Sequence, residues 1–104
     1  MCLDAGPTRN NGDPVRIWAC SEGNANQTFV FQDGQIKVED TLGTGKEMCL
    51  DVGVTRNSGD PTHLWQCYPG LTNQTFVLKR GQLKVEDTIG PFSLAVPAPT
   101  GPAS

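Results

Sequence analysis

A chain of 104 residues makes one domain, and a single core of that length only moderately offsets chain entropy, so an additional source of stability is expected. Eight Lys and Arg against eleven Asp and Glu leave a net charge of −3, which argues against a basic stripe able to displace counterions from phosphates, and so against nucleic acid as a partner. No apolar run approaches the roughly eighteen residues of a membrane span and no basic amphipathic helix is present, which argues against membrane insertion.

In chain order, Met1 sits directly against Cys2 with no leader before it, so the start is expected to be truncated or engineered. From there one unit occurs twice. Residues 2–41 recur as residues 49–88 at a constant offset of 47, without an insertion. Similarity at a fixed period of this size marks a repeat architecture, in which one unit needs its neighbours to close a core. Within each copy brief apolar runs are separated by Gly, Pro, Asn and Asp, the pattern of an all-β chain of short strands.

Ile36-Lys37-Val38 and its twin Leu83-Lys84-Val85 alternate as strands, and Met48 to Val52, Thr62 to Gln66 and Thr75 to Leu78 are the other predicted strands of the second copy. Thr55 to Pro61 is a long polar turn. Leu3, Leu50, Phe29, Phe76, Ile36 and Leu83 are the expected core, and strand alternation points Ile17 and Leu64 inward while Trp18 and Trp65 face outward. Glu39-Asp40 and Glu86-Asp87 are read as strand residues facing opposite sides, unsuited to a paired-carboxylate hydrolase centre and expected to form a solvated surface.

After Thr88 a third copy begins, with Ser93-Leu94-Ala95-Val96 falling where Cys49-Leu50-Asp51-Val52 stood; it has lost the cysteine and the acid. It then runs into a Pro-rich tail. The expected division is a domain over 1–96, with repeats at about 1–35, 36–82 and a partial 83–96, and a flexible tail over 97–104. Three strands from the first repeat, four from the second and two from the third give about nine.

Cys2 and Cys20 repeat as Cys49 and Cys67, each pair enclosing seventeen residues, a spacing that suits neither a zinc knuckle nor a redox C-x-x-C. They read as disulfides. Of the three connectivities that four cysteines allow, the duplication argues for Cys2 with Cys20 and Cys49 with Cys67. Each bond would contribute roughly 3 kcal/mol in the chain-entropy model, and such bonds persist in an oxidising compartment, so secretion is expected.

Cys-Leu-Asp, a polar loop ending Gly-Asp-Pro, an apolar-Trp pair with Cys two residues after the Trp, then Asn-Gln-x-aromatic and Gly-x-Ile/Leu, occur in this order in both copies. This pattern resembles the repeat of ricin B-type lectins, and the likeness covers nearly the whole chain except the tail. It departs from that pattern in having Phe29 and Phe76 where the family usually has Trp, and in lacking a complete third lobe. The resemblance implies a β-trefoil-like fold and carbohydrate binding. Asp4 and Asp51 would accept hydrogen bonds from adjacent sugar hydroxyls, a task suited to a charged, acceptor-only group. Trp18 and Trp65 would stack on the sugar ring, Asn26 and Asn73 would bind a second hydroxyl, and Gln27 and Gln74 would brace the set. Arg16 in one copy and His63 in the other stand two residues before each Trp, so the two sites should differ in preference. A galactose-type ligand is favoured. Asp4→Ala with Asp51→Ala is expected to abolish sugar retention with little change in melting.

His63 is the only histidine and has no companion for a triad or a metal site; no cofactor is expected, and the chain is read as non-enzymatic. Asn26-Gln27-Thr28 and Asn73-Gln74-Thr75 are also formal N-glycosylation sequons, and a glycan on either Asn would block the proposed site. The rival functions are a carbohydrate-binding module of a secreted glycoside hydrolase and a trefoil protease inhibitor. An incomplete third lobe leaves sheet edges unpaired, so a homo-oligomer or a fragment of a longer chain is expected.

Overall fold

The computed structural model describes residues 1–89. The third-copy segment at 93–96, with the strand expected there, and the tail at 97–104 lie outside the described residues. Within them the chain is all-β, with eight short strands and, at the strand ends, single 3-10 turns. The strands are β1 (Cys2–Asp4), β2 (Arg16–Trp18), β3 (Phe29–Gln32), β4 (Gln35–Val38), β5 (Met48–Asp51), β6 (His63–Gln66), β7 (Phe76–Lys79) and β8 (Gln82–Val85). β1 and β2 form one antiparallel pair, β3-β4-β5-β6 a central four-stranded sheet, and β7 and β8 a second pair.

The hairpins β3-β4 and β7-β8 close through two-residue turns, with Gln32 opposite Gln35 and Lys79 opposite Gln82. Both residues of each turn have positive φ: Asp33 at 54° and Gly34 at 78°, Arg80 at 53° and Gly81 at 77°. This is the handedness that matches the twist of the flanking strands. The glycine carries the left-handed conformation without strain, whereas Arg80 holds it with a Cβ in place. Gly34 also lies against the next lobe, where its carbonyl accepts from Phe76 N at 2.8 Å.

Disulfides join Cys2 to Cys20 and Cys49 to Cys67, one per repeat, each tying the start of a β1- or β5-type strand to the segment just after its partner. The core sits in the middle of the chain. Val38, Met48, Leu50, Leu64, Phe76 and Ile36 are buried there, joined by Ala5 and Val15 from the first repeat. The first repeat's polar loop lies along β6 of the second: Gly12 N donates to Leu64 O (2.8 Å), Leu64 N to Asp13 O (2.7 Å), and Gln66 N to Asn11 Oδ1 (2.8 Å).

This position explains where the expected core fails. Leu50 and Leu64 are buried, but their twins Leu3 and Ile17 are 40% and 63% exposed, and Leu83, twin of Ile36, is 44% exposed. Phe29 is only partly buried, packed at the edge of the core. The side chains are equivalent in sequence; only the central copies have a neighbour on both sides, and no described residue covers the flanks. Lys37 differs in the opposite sense. Although its strand alternates, it is buried, its ammonium bonded to Glu47 Oε1 at 2.9 Å and Gln32 Oε1 at 3.1 Å, so its charge is satisfied.

Glu39-Asp40 and Glu86-Asp87 also depart from expectation. They open 3-10 turns (Glu39–Thr41 and Glu86–Thr88), not strands. Glu39 N and Glu86 N still donate to Thr28 O and Thr75 O in the hairpin register, but Thr28 N and Thr75 N turn back to Ala25 O and Thr72 O, Leu42 N and Ile89 N close onto Glu39 O and Glu86 O, and the Thr41 hydroxyl donates to Val38 O at 2.7 Å. The acids remain at the surface, yet Asp40 and Asp87 are not free: each holds an arginine of the preceding polar loop.

Candidate functional site

Asp4 ends β1, and the chain turns immediately after it through Gly6, which has a φ of 74°. Gly6 N donates to Asp4 Oδ1 at 2.7 Å and Gln27 Nε2 to Oδ2 at 3.0 Å. The carboxylate is therefore fixed in direction, with lone pairs left over for a ligand. Gln27 is itself fully engaged, since Nε2 also donates to Ala19 O (3.0 Å) and Oε1 accepts from Ser21 N (2.8 Å).

β2 runs antiparallel to β1 with Arg16 opposite Asp4 and Trp18 opposite Cys2, so Arg16 and Trp18 stand on the face the carboxylate looks onto. Trp18 is 65% exposed. The third wall is the 3-10 turn Ala25–Gln27, started by Asn24, whose side chain accepts from Asn26 N at 3.0 Å. Asp4, Arg16, Trp18, Asn24 and Asn26, with Pro7 and Pro14, line one open hollow of about 320 Å³.

The second lobe repeats the frame. Asp51 Oδ1 accepts from Gly53 N at 2.6 Å and Oδ2 from Gln74 Nε2 at 3.1 Å, while Gln74 also donates to Gln66 O and accepts from Tyr68 N, both at 3.0 Å. Asp51, His63, Trp65 and Asn73 line a smaller hollow of about 200 Å³ with Val54 and Leu71. His63 Nε2 lies 3.3 Å from Asp51 Oδ1 and its ring meets that of Trp65 edge to face, with centroids 6.2 Å apart. Trp65 is less open than its twin, at 38% exposure.

Each predicted acid, indole and amide is thus brought to one hollow in its own lobe, together with Arg16 or His63. Gln27 and Gln74 line neither hollow; they stand behind the carboxylates, each donating to one, and Gln74 is completely buried with its amide consumed by protein partners. Both sequon asparagines line the hollows, so a glycan there would fill them.

Sequence reasoning missed Arg9 and Arg56. Arg9 Nη2 donates to Asn26 Oδ1 at 2.9 Å, Nη1 to Gly6 O at 2.7 Å, and Nε and Nη2 form a fork on Asp40, both bonds 3.1 Å. Arg56 does the same to Asn73 (3.0 Å), Gly53 O (2.8 Å) and Asp87 (3.0 Å twice). Because the guanidinium can only donate, it holds the amide oxygen and leaves Nδ2 of each Asn as the group offered to a ligand. The signal was present: Thr-Arg-Asn and Glu-Asp-Thr both recur at the common offset, and a charge pair that repeats intact points to a partner.

Residues 1–88 match the ricin-type beta-trefoil lectin domain. The chain belongs to the ricin-type lectin family. Its all-β architecture is accordingly that of a β-trefoil, and carbohydrate binding is the function to which membership of this lectin family points. The comparisons with curated proteins and with solved structures return no match. Among the described residues no group of three or more His, Cys, Asp or Glu stands close enough to hold a metal ion, and no helix is long and apolar enough to cross a membrane.

Proposed function

We propose that the chain is a non-enzymatic, secreted lectin with two weak sugar sites, one per repeat, that prefers galactose-type ligands and gains strength by engaging both sites at once. The observation that carries this reading is the convergence, in both lobes, of a fixed carboxylate, an exposed indole and an amide offering its N–H groups to one open hollow. A pyranose presents what that set complements, with adjacent hydroxyls for the acid and a C–H face for the ring. An open hollow with one charged acceptor and one ring supports about millimolar affinity, near 4 kcal/mol, and two linked sites on one glycan raise the apparent affinity without any new contact. The two disulfides support secretion. The exposed Leu3, Ile17, Leu78 and Leu83 support association with a second copy that covers these flanks.

The test is retention on galactose-coupled resin. Trp18→Ala removes a side chain that stands largely in water and Trp65→Ala one that is exposed over about a third of its surface, so melting is followed beside retention; each alone should weaken retention and the pair should abolish it. Undiminished retention of the pair, with unchanged melting, would refute the assignment.

A further inference from the structure

The first-lobe hollow contains a charge that its twin lacks. Arg16 lines it, directly across the β1-β2 pair from Asp4, and among the described residues its guanidinium forms no ion pair. The arginine that orients the amide in each lobe is committed elsewhere, Arg9 to Asp40 and Asn26 in the first and Arg56 to Asp87 and Asn73 in the second. A planar fork of donors left unengaged beside a hollow is a receptor for a carboxylate, which it meets with two parallel hydrogen bonds.

The second lobe supplies the contrast within the same molecule. There the equivalent position is His63, already turned onto Asp51 at 3.3 Å. Asn24 is replaced by Leu71 and Pro7 by Val54, so the wall is apolar and holds no arginine. An anionic ligand entering the first hollow meets Asp4 and Arg16, whose charges offset each other; in the second it meets the Asp51 carboxylate and no arginine in the lining.

We infer that the first-lobe hollow selects a saccharide bearing a carboxylate. Asp4 accepts from two ring hydroxyls, the ring lies on Trp18, and Arg16 takes the carboxylate. This rests on the sugar-site reading proposed above and adds the ligand class for one lobe only. The second lobe takes neutral rings.

The experiment is a lobe-resolved NMR titration of the full chain, followed at the indole Nε1–H signals of Trp18 and Trp65, with galactose, galacturonate, the methyl ester of galacturonate and N-acetylneuraminate as probes. At low salt the Trp18 signal should report binding about fourfold tighter for galacturonate than for galactose, the increment expected of an exposed ion pair. That ratio should fall toward one with the methyl ester, in high salt, and in Arg16→Gln, while Trp65 shows no preference for the charged sugar. Tighter binding of N-acetylneuraminate than of galacturonate assigns the carboxylate to a sialic acid, the reverse order to a uronate, and both meet the inference. A Trp18 ratio of one or below, or a preference that survives Arg16→Gln, overturns it and leaves the sugar site standing. Silence of both indoles toward every probe removes the sugar-site reading itself.

Discussion

Removing the two acceptor carboxylates should have equal consequences for sugar binding and unequal ones for stability. Asp51 is 4% exposed and accepts from Gly53 N and from Gln74, which is wholly buried. In Asp51→Ala one N–H of the Gln74 amide loses its partner where water has no access, and the backbone N–H of half-buried Gly53 loses its acceptor as well. An orphaned buried donor costs about 1–3 kcal/mol, so about 2 kcal/mol is expected. Asp4 makes the same two bonds, but Asp4 and Gln27 are only half-buried, and water can replace the lost acceptor. For Asp4→Ala about 0.5–1 kcal/mol is expected, an ordinary net hydrogen bond.

With a domain of this length shifting its melting point by roughly 4–8 °C per kcal/mol, the second variant should melt about 10 °C below the parent and the first about 5 °C below. This replaces the expectation from sequence that both changes leave melting nearly untouched; the burial of one twin and not the other could not be read from identical motifs. The assay is thermal unfolding by circular dichroism under oxidising conditions, beside retention on galactose resin. Equal shifts, or a larger shift for Asp4→Ala, would refute the claim that Gln74 is braced without solvent.

Arg9→Lys keeps the charge but loses the fork that holds both Asp40 and the Asn26 oxygen, so it should weaken binding at Trp18 about fivefold while Trp65 binds as before, read by the same NMR titration. Arg80→Asn places a residue tolerant of positive φ in the β7-β8 turn and should stabilise by about 0.5–1 kcal/mol, seen as a raised melting point; the same exchange at a strand position gives no such gain. The Thr8 and Thr55 hydroxyls, then the backbone N–H groups of Asn10 and Asn57, hold the carboxyls of Asp13 and Asp60 below their ordinary value. A depressed folded-state pKa contributes stability above the ordinary carboxylate pKa of about 3.9, and that contribution disappears as pH falls through the depressed value. Protection of the Asn10 and Asn57 amides, taken from the exchange rate relative to that of an unstructured chain at the same pH, should accordingly fall below about pH 4 and stay flat between about pH 5 and 8.

The sequence made legible whatever repeats and is local. Strand positions, the disulfide pairing and the grouping of Asp, Trp and Asn all follow from a motif that occurs twice in the same order. Three kinds of feature were not legible. One is burial that depends on position in the array: Leu3 and Leu50 share a motif, yet only Leu50 has neighbours on both sides. Another is contact across long separations, as between Arg9 and Asp40, 31 residues apart, where the repeat marks both residues but nothing local joins one to the other. The last is a turn disguised by composition: Glu39-Asp40-Thr41 extends an alternating strand on paper, but the partner strand gives its next N–H, that of Thr28, to Ala25 O, and Leu42 N closes a turn onto Glu39 O.

Comparing the two lobes residue for residue separates what builds the hollow from what it would select. The frame is the same in both: the acid, the glycine after it, the glutamine behind it, the amide, the arginine that orients the amide and the acid that holds the arginine. The rim is not, since Pro7, Arg16 and Asn24 face Val54, His63 and Leu71 at equivalent places. Most of the frame is tied into the backbone hydrogen-bonding scheme, so changing one of its members orphans a donor and costs stability, as worked out for Asp51. Rim side chains carry few such ties and can be exchanged at little cost to folding. A duplicated unit under these constraints keeps its hollow and diverges at its edge, which is why a difference in ligand charge between the lobes is expected at Arg16 and His63 and nowhere deeper.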